Sequence, residues 1–214
     1  MRERKKARRR REILRAAARL FDRQGIDATT LADIARAIGV SPPTVTNYFG
    51  AKENILSALI FEGTEKERTQ HRARPRRTGI PFAEVVGDLL AECSANTLRI
   101  AGKRVWRYAE AANIRAAGTA FQARFRESDR LLRELIAEVL GDYAIVLRSG
   151  KAPDPDLLAK LFFDRWTAHY LDYIRDDGMS RASHEAALRE DVAAMVDLIF
   201  DETFAATSPL RRPQ

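Results

Sequence analysis

The chain is poor in the residues that staple, cleave or anchor. One cysteine, Cys93, stands among 214 residues, so no intramolecular disulfide can form, and its neighbours Leu89, Leu90 and Leu98 suit a small buried thiol better than a redox centre. Three histidines are scattered at 71, 169 and 184, and no HExxH, GxSxG, P-loop or GxGxxG pattern occurs, which argues against metal-dependent or nucleophilic catalysis. No cofactor or metal site is expected. No stretch approaches the ~20 uninterrupted apolar residues of a membrane span. The basic N-terminus is followed by no apolar h-region, so a cytoplasmic location is expected. Strand-like alternation bounded by turn signals is missing, and proline and glycine are sparse at 8 and 11. The composition, 45% apolar and 31% charged, is that of a chain able to bury a core.

What is abundant is arginine, and it is unevenly placed. Residues 1–77 carry 19 basic against 9 acidic side chains, whereas residues 78–214 carry 18 against 21, so the whole excess of +7 belongs to the first third. Such asymmetry points to a polyanion at one end, nucleic acid or an anionic membrane surface, and a different task at the other. A membrane-surface helix would need an apolar Trp, Phe or Leu face, which the first ten residues lack.

Helical periodicity runs almost everywhere, which predicts an all-α fold of about nine helices. The first spans about 2–24, with Ile13, Leu14, Ala17, Leu20 and Phe21 inward, and Gly25 stops it. Thr30 and Asp33 resemble a capping box, which places a short helix over about 30–37. Gly39 breaks it, and Ser41 with Pro42 predicts a third helix over about 42–48. A fourth runs from about 52 to 70. The segment 71–81, rich in arginine and proline, reads as a domain boundary. Beyond it helices are expected at about 82–101, 103–114, 119–148, 155–177 and 181–205, and the tail SPLRRPQ is expected to fray.

Two short helices joined by a glycine turn in a small basic unit are the sequence form of a helix-turn-helix. Ala35 lets the pair pack closely, and Gly39 supplies the positive φ of the turn. Val45 and Phe49 form the inward pair of the second helix. Ser41 and Thr44 put hydroxyls at the helix start, where free backbone N–H groups also favour phosphate, and Pro42, Pro43, Thr44, Thr46, Asn47 and Tyr48 are left for a DNA-facing side. Asn47 is suited to adenine, while Thr and Pro surfaces suit a thymine methyl.

The segment TLADIARAIGVSPPTVTNYFGAKENIL, Thr30 to Leu56, resembles the DNA-binding signature of the TetR/AcrR family of transcriptional regulators. It matches at Ile34, Ala35, Gly39, Val40, Ser41, Thr44, Tyr48, Phe49, Lys52, Glu53 and Leu56. Pro43, Thr46 and Ala51 depart from the common pattern. The resemblance implies phosphate contacts from Thr29 or Thr30, Tyr48 and Lys52, within a DNA-binding domain at 1–52 whose fourth helix connects onward. It further implies a ligand-binding and dimerisation domain at 78–206. The expected protein is a homodimer paired through its last two helices, which grips a double-stranded DNA operator and is released by a small apolar or aromatic effector. Candidate effector contacts are Asn96, Trp106, Tyr108, Asn113, Phe121, Phe125, Trp166 and His169. The basic stretch 2–11, with eight Lys or Arg, reads either as a solvated tail or as an arm following the minor groove or phosphates.

Overall fold

The computed structural model describes residues 2–115 and 118–211. The all-α expectation holds, with ten helices among the described residues: α1 Arg2–Gln24, α2 Leu31–Ala37, α3 Pro42–Phe49, α4 Lys52–Arg72, α5 Phe82–Ile100, α6 Lys103–Arg115, α7 Ala120–Gly141, α8 Pro155–Arg175, α9 Arg181–Ile199 and α10 Glu202–Thr207. Among these, none is long and apolar enough to cross a membrane. Two compact units form, one from residues 1–66 and 97–125 and the other from 67–96 and 126–214. The boundary expected at 71–81 therefore falls inside the second unit.

The first unit is built on α1, whose Ile13, Ala16, Ala17, Leu20 and Phe21 are buried at helical spacing. It packs against α2 and α6. Gly63 of α4 marks a close approach: a Cβ there would come within 2.7 Å of Ile100 Cγ1 and 2.9 Å of its Cδ1 and Cγ2. Gly63→Ala should therefore destabilise by about 1–2 kcal/mol, since overpacking outweighs the gain of roughly 1 kcal/mol from replacing a helical glycine. Chemical denaturation checks it, and Ile100→Ala in the same chain should recover part of the loss.

In the second unit the predicted helix over 119–148 ends seven residues early. After a turn at Asp142 the backbone pairs with the tail: Ala144 N–H donates to Pro209 O at 2.8 Å, and Arg211 N–H to Asp142 O at 2.9 Å. The helix predicted over 181–205 likewise breaks at Phe200, because Asp201 caps a new helix by accepting from Thr203 N at 2.9 Å and Phe204 N at 3.1 Å. The tail expected to fray is instead pinned through residue 211. Ser208 is buried and donates its hydroxyl to Ile80 O at 2.7 Å, while Gly79 N–H donates to Thr207 O at 2.7 Å. The last three residues of that tail lie outside the described ones. Backbone pairing that buries Tyr143, Phe200 and Phe204 overrides local helix propensity here.

Asp129 of α7 is largely withdrawn from water, and burial pushes its carboxyl up to about 6, with Arg133 giving partial relief. A folded value above the usual 3.8 means that stability is fullest below that pH and falls as pH rises to about 6. Asp129→Asn should therefore stabilise the fold by about 1–2 kcal/mol near neutral pH, after discounting for residual solvent, and by nothing near pH 4. Thermal melts at the two pH values check the sign.

Candidate nucleic-acid interface

Thr30 opens α2 as a full capping box: its Oγ1 accepts from Asp33 N at 3.1 Å, and its own N–H donates to Asp33 Oδ2 at 3.0 Å. The Thr30 hydroxyl also donates to Asp33 Oδ2 at 2.7 Å, and this bond, with that from the Thr30 N–H, holds the Asp33 carboxyl below the usual carboxylate range. At the other end Gly39 takes φ +66°, and Val40 N–H reaches back to Ala35 O at 3.0 Å, which turns the chain into α3. Val45 and Phe49 of α3 are buried, as their spacing implies. Pro43, Thr46 and Asn47 are exposed, and Thr44 and Tyr48 are half-buried.

The start of α3 differs from expectation. Ser41 makes no side-chain cap; its hydroxyl pairs with Thr44 Oγ1 at 2.9 Å. Pro42 and Pro43 carry no N–H, and Thr44 N–H already donates to Ser41 O at 2.9 Å, so the first three positions of α3 offer no ready backbone donor for a phosphate. Hydroxyls have to serve there instead. Thr46 Oγ1 donates to Pro42 O at 3.2 Å and keeps its lone pairs for acceptance. Thr29 is a correction: it is 1% exposed and its hydroxyl donates to Gly25 O at 2.7 Å, which holds the turn after α1 rather than a ligand. Lys52 is half-buried, and its ammonium donates inward to Ile26 O at 2.9 Å and Asp27 O at 3.1 Å, which commits two of its three N–H groups.

Two supports were not foreseen. The Arg10 guanidinium lies 4.7 Å from the Phe49 ring centroid and donates to Glu62 Oε2 at 3.0 Å, so α1 braces the end of α3. Asn54 donates its Nδ2 to Phe49 O at 2.8 Å, a carbonyl that also accepts from Ala51 N–H at 2.8 Å, which ties the end of α3 to α4. The phase of α1, which places Arg10 three residues before buried Ile13, was the available signal for the first. The basic stretch is helical from Arg2, so the tail reading is set aside. Arg4, Arg8, Arg11, Arg15 and Arg19 recur at 3–4 residue spacing opposite the buried face, and Arg8 pairs with Glu12 at 3.6 Å.

A model of the bacterial regulatory proteins of the tetR family matches residues 13–59, from the middle of α1 into α4. Over that segment the chain is similar to the tetR family. The regulator BetI of Rhizobium meliloti is 46% identical over 77 residues, which are 36% of this chain and 38% of that protein. The chain thus aligns with about two fifths of that curated relative's length. Among solved structures, a tetR-family transcriptional regulator from Streptomyces coelicolor is similar with a TM-score of 0.64 at 19% identity, covering 90% of this chain and 82% of that one. Thermus thermophilus FadR, a TetR-family transcriptional repressor in complex with lauroyl-CoA, is similar with a TM-score of 0.53 at 23% identity, covering 87% and 92%. These two likenesses concern the fold.

The eight side chains nominated for an effector divide between the units. In the first, Trp106 is buried and donates Nε1 to Thr97 O at 2.8 Å, and Phe121 and Phe125 form an aromatic trio with Phe61 at 5.8–6.5 Å. Tyr108 is half-buried, and burial, with Asp27 and Glu53 nearby, raises its phenol; Asn113 is half-buried, its carbonyl accepting from Gln122 Nε2 at 3.1 Å. In the second, Asn96 is buried with Nδ2 3.3 Å from His71 Nε2. Trp166 donates Nε1 to Ser94 Oγ at 3.0 Å, and His169 Nε2 lies 2.7 Å from Asp191 Oδ2. Trp106 and Trp166 thus satisfy their one polar donor internally, as core residues do.

Proposed function

We propose that this protein is a DNA-binding transcriptional regulator, a homodimeric repressor that a small apolar or aromatic effector releases from a pseudopalindromic operator. The observation that carries the reading is the face of α3. It holds Pro43, Thr46 and Asn47 exposed and Thr44 and Tyr48 half-exposed on a helix fixed from within by Val45 and Phe49. Asn47 and the threonines are the base-reading groups in this scheme, while Thr30, Ser41 and Tyr48 are phosphate contacts that position without specifying. The helical arginine row of α1 adds sequence-independent contacts to phosphates. A helix about 10–12 Å across does not enter a minor groove about 6 Å wide, so the row runs beside the groove. The test is fluorescence anisotropy with the protein's own upstream intergenic DNA against a scrambled duplex. Equal affinity for both would remove the regulator reading.

Pairing through α8 and α9 is supported by Leu157, Leu161 and Leu198, which are 54%, 41% and 77% exposed on these helices. A twofold dimer would set two α3 helices about 34–36 Å apart, matching successive major grooves. Light scattering should give a dimer for the wild type and a 24.2 kDa monomer for Leu198→Glu; a wild-type monomer at micromolar concentration sinks the pairing. Effector release is proposed to act through α4, with the ligand favouring the state whose α3 helices no longer match the operator spacing. FadR, with its lauroyl-CoA, is one protein of this fold that holds a ligand with an apolar chain.

A further inference from the structure

The second unit contains a cleft of about 590 Å³, walled by the end of α4, residues 74–77, α5, the end of α7 with Tyr143, and α9. None of the eight side chains nominated for an effector borders it. Five arginines do, at 74, 76, 77, 181 and 189, against three carboxylates, Asp88, Glu92 and Glu185. Arg76 pairs outside the lining, with Asp142 at 2.8 Å. One guanidinium is still in excess after that pairing. His71 adds no charge at neutral pH: burial holds its imidazole low, with Glu92 opposing and Arg74 assisting.

The excess is localised. Arg77 and Arg189 donate to the two oxygens of one carboxylate, Asp88. Burial works against that charge, but the two guanidiniums hold the Asp88 carboxyl below its usual range, so it stays ionised. Each guanidinium has five N–H donors in a planar fork; the shared carboxylate and, for Arg77, the Glu84 carbonyl at 3.4 Å leave most of them open. Beside this pair the wall is apolar, with Val85, Leu89 and Val139 buried along it. The Tyr143 hydroxyl donates to Arg77 O at 2.9 Å, which fixes the backbone that carries one of the two forks.

We propose that this cleft binds a small organic acid with an apolar body, its carboxylate taken by Arg77 and Arg189 and its body laid against Val85, Leu89 and Val139. The volume is in the range of small-molecule sites, about 300–1,000 Å³. An inorganic anion leaves the apolar wall uncovered, and a neutral apolar molecule buries guanidinium donors without replacing their water. A carboxylate on an apolar frame satisfies both.

The test uses the full chain and 2-naphthoate as probe, with 2-naphthamide as its neutral isostere and inorganic phosphate as the bare anion, all by isothermal titration calorimetry. Saturable binding of naphthoate is expected, with the amide and phosphate each about tenfold weaker or worse, the measure of one charge-assisted contact. Arg189→Gln should weaken naphthoate about tenfold and leave the amide unchanged. Arg189 is exposed, so the variant should keep the wild-type melting curve; if it does not, Arg77→Gln gives the same reading from the other side of Asp88. Equal binding of acid and amide, phosphate binding as tightly as naphthoate, no naphthoate binding at millimolar concentration, or naphthoate binding unchanged in the arginine variants would each overturn the proposal. No DNA enters the measurement, so its outcome is separate from that of the regulator reading.

Discussion

Phe82→Ala is expected to remove about 3–5 kcal/mol of stability, the range for truncating a fully buried phenylalanine. Phe82 is 0% exposed at the first position of α5. Its ring lies 5.3 Å from Tyr143, 5.1 Å from Phe200 and 4.8 Å from Phe204, each edge-on. Removing it takes away its own burial and three aromatic contacts worth about 0.5–1.5 kcal/mol each beyond area, and leaves a void that the pinned tail cannot collapse to fill. Against a typical total of about 5–15 kcal/mol this is a large fraction. In urea the midpoint should fall with little change in slope. Phe82→Leu, which keeps most of the volume, should cost about 1–2 kcal/mol. A loss below about 1 kcal/mol for the alanine variant would show that the cluster does not hold the tail.

The second large effect is expected at the α3 surface. Asn47 is exposed there, so Asn47→Asp should leave the fold intact while placing a carboxylate where the proposed complex has phosphates and base-edge acceptors. Like-charge apposition at an interface costs several kcal/mol, so operator affinity should fall by about a hundredfold or more. Asn47→Ala should cost less, about 1–3 kcal/mol, and only on the specific sequence. Arg15→Gln on α1 has a different signature: a uniform weakening across sequences and a salt slope shallower by about one. Anisotropy titrations at several salt concentrations separate the three. Undiminished binding by Asn47→Asp would take α3 out of the interface.

The helix-turn-helix was legible because its determinants are local. Thr30 and Asp33 cap, Gly39 turns, and Val45 and Phe49 face inward, and each of these is a matter of a few residues' spacing. Other features depend on partners distant in sequence. The helix breaks at Asp142 and Phe200 follow from backbone pairing between 142–148 and 199–211, which no local propensity signals. The missing backbone donors at the start of α3 were readable in principle, since two consecutive prolines carry no N–H; their consequence depended on Thr44 N–H being used by Ser41 O. Thr29 and Lys52 show the same limit. Their side chains look like ligand contacts in one dimension, while the fold turns one inward and ties the other to Ile26 and Asp27. The arginine cleft drew residues from 71 to 189, beyond the reach of any spacing rule.

The pinned tail also sets an order of events during synthesis. Phe200 and Phe204 complete the cluster around Phe82, and Thr207, Ser208, Pro209 and Arg211 close backbone or side-chain bonds to residues 78–80 and 142–144. On a ribosome adding about 5–20 residues each second, α5 waits for its last partners until residue 211 has cleared the exit tunnel. Throughout that interval the Phe82 face is open to chaperones, whereas every element of the α1–α3 unit that presents Asn47 has long since emerged.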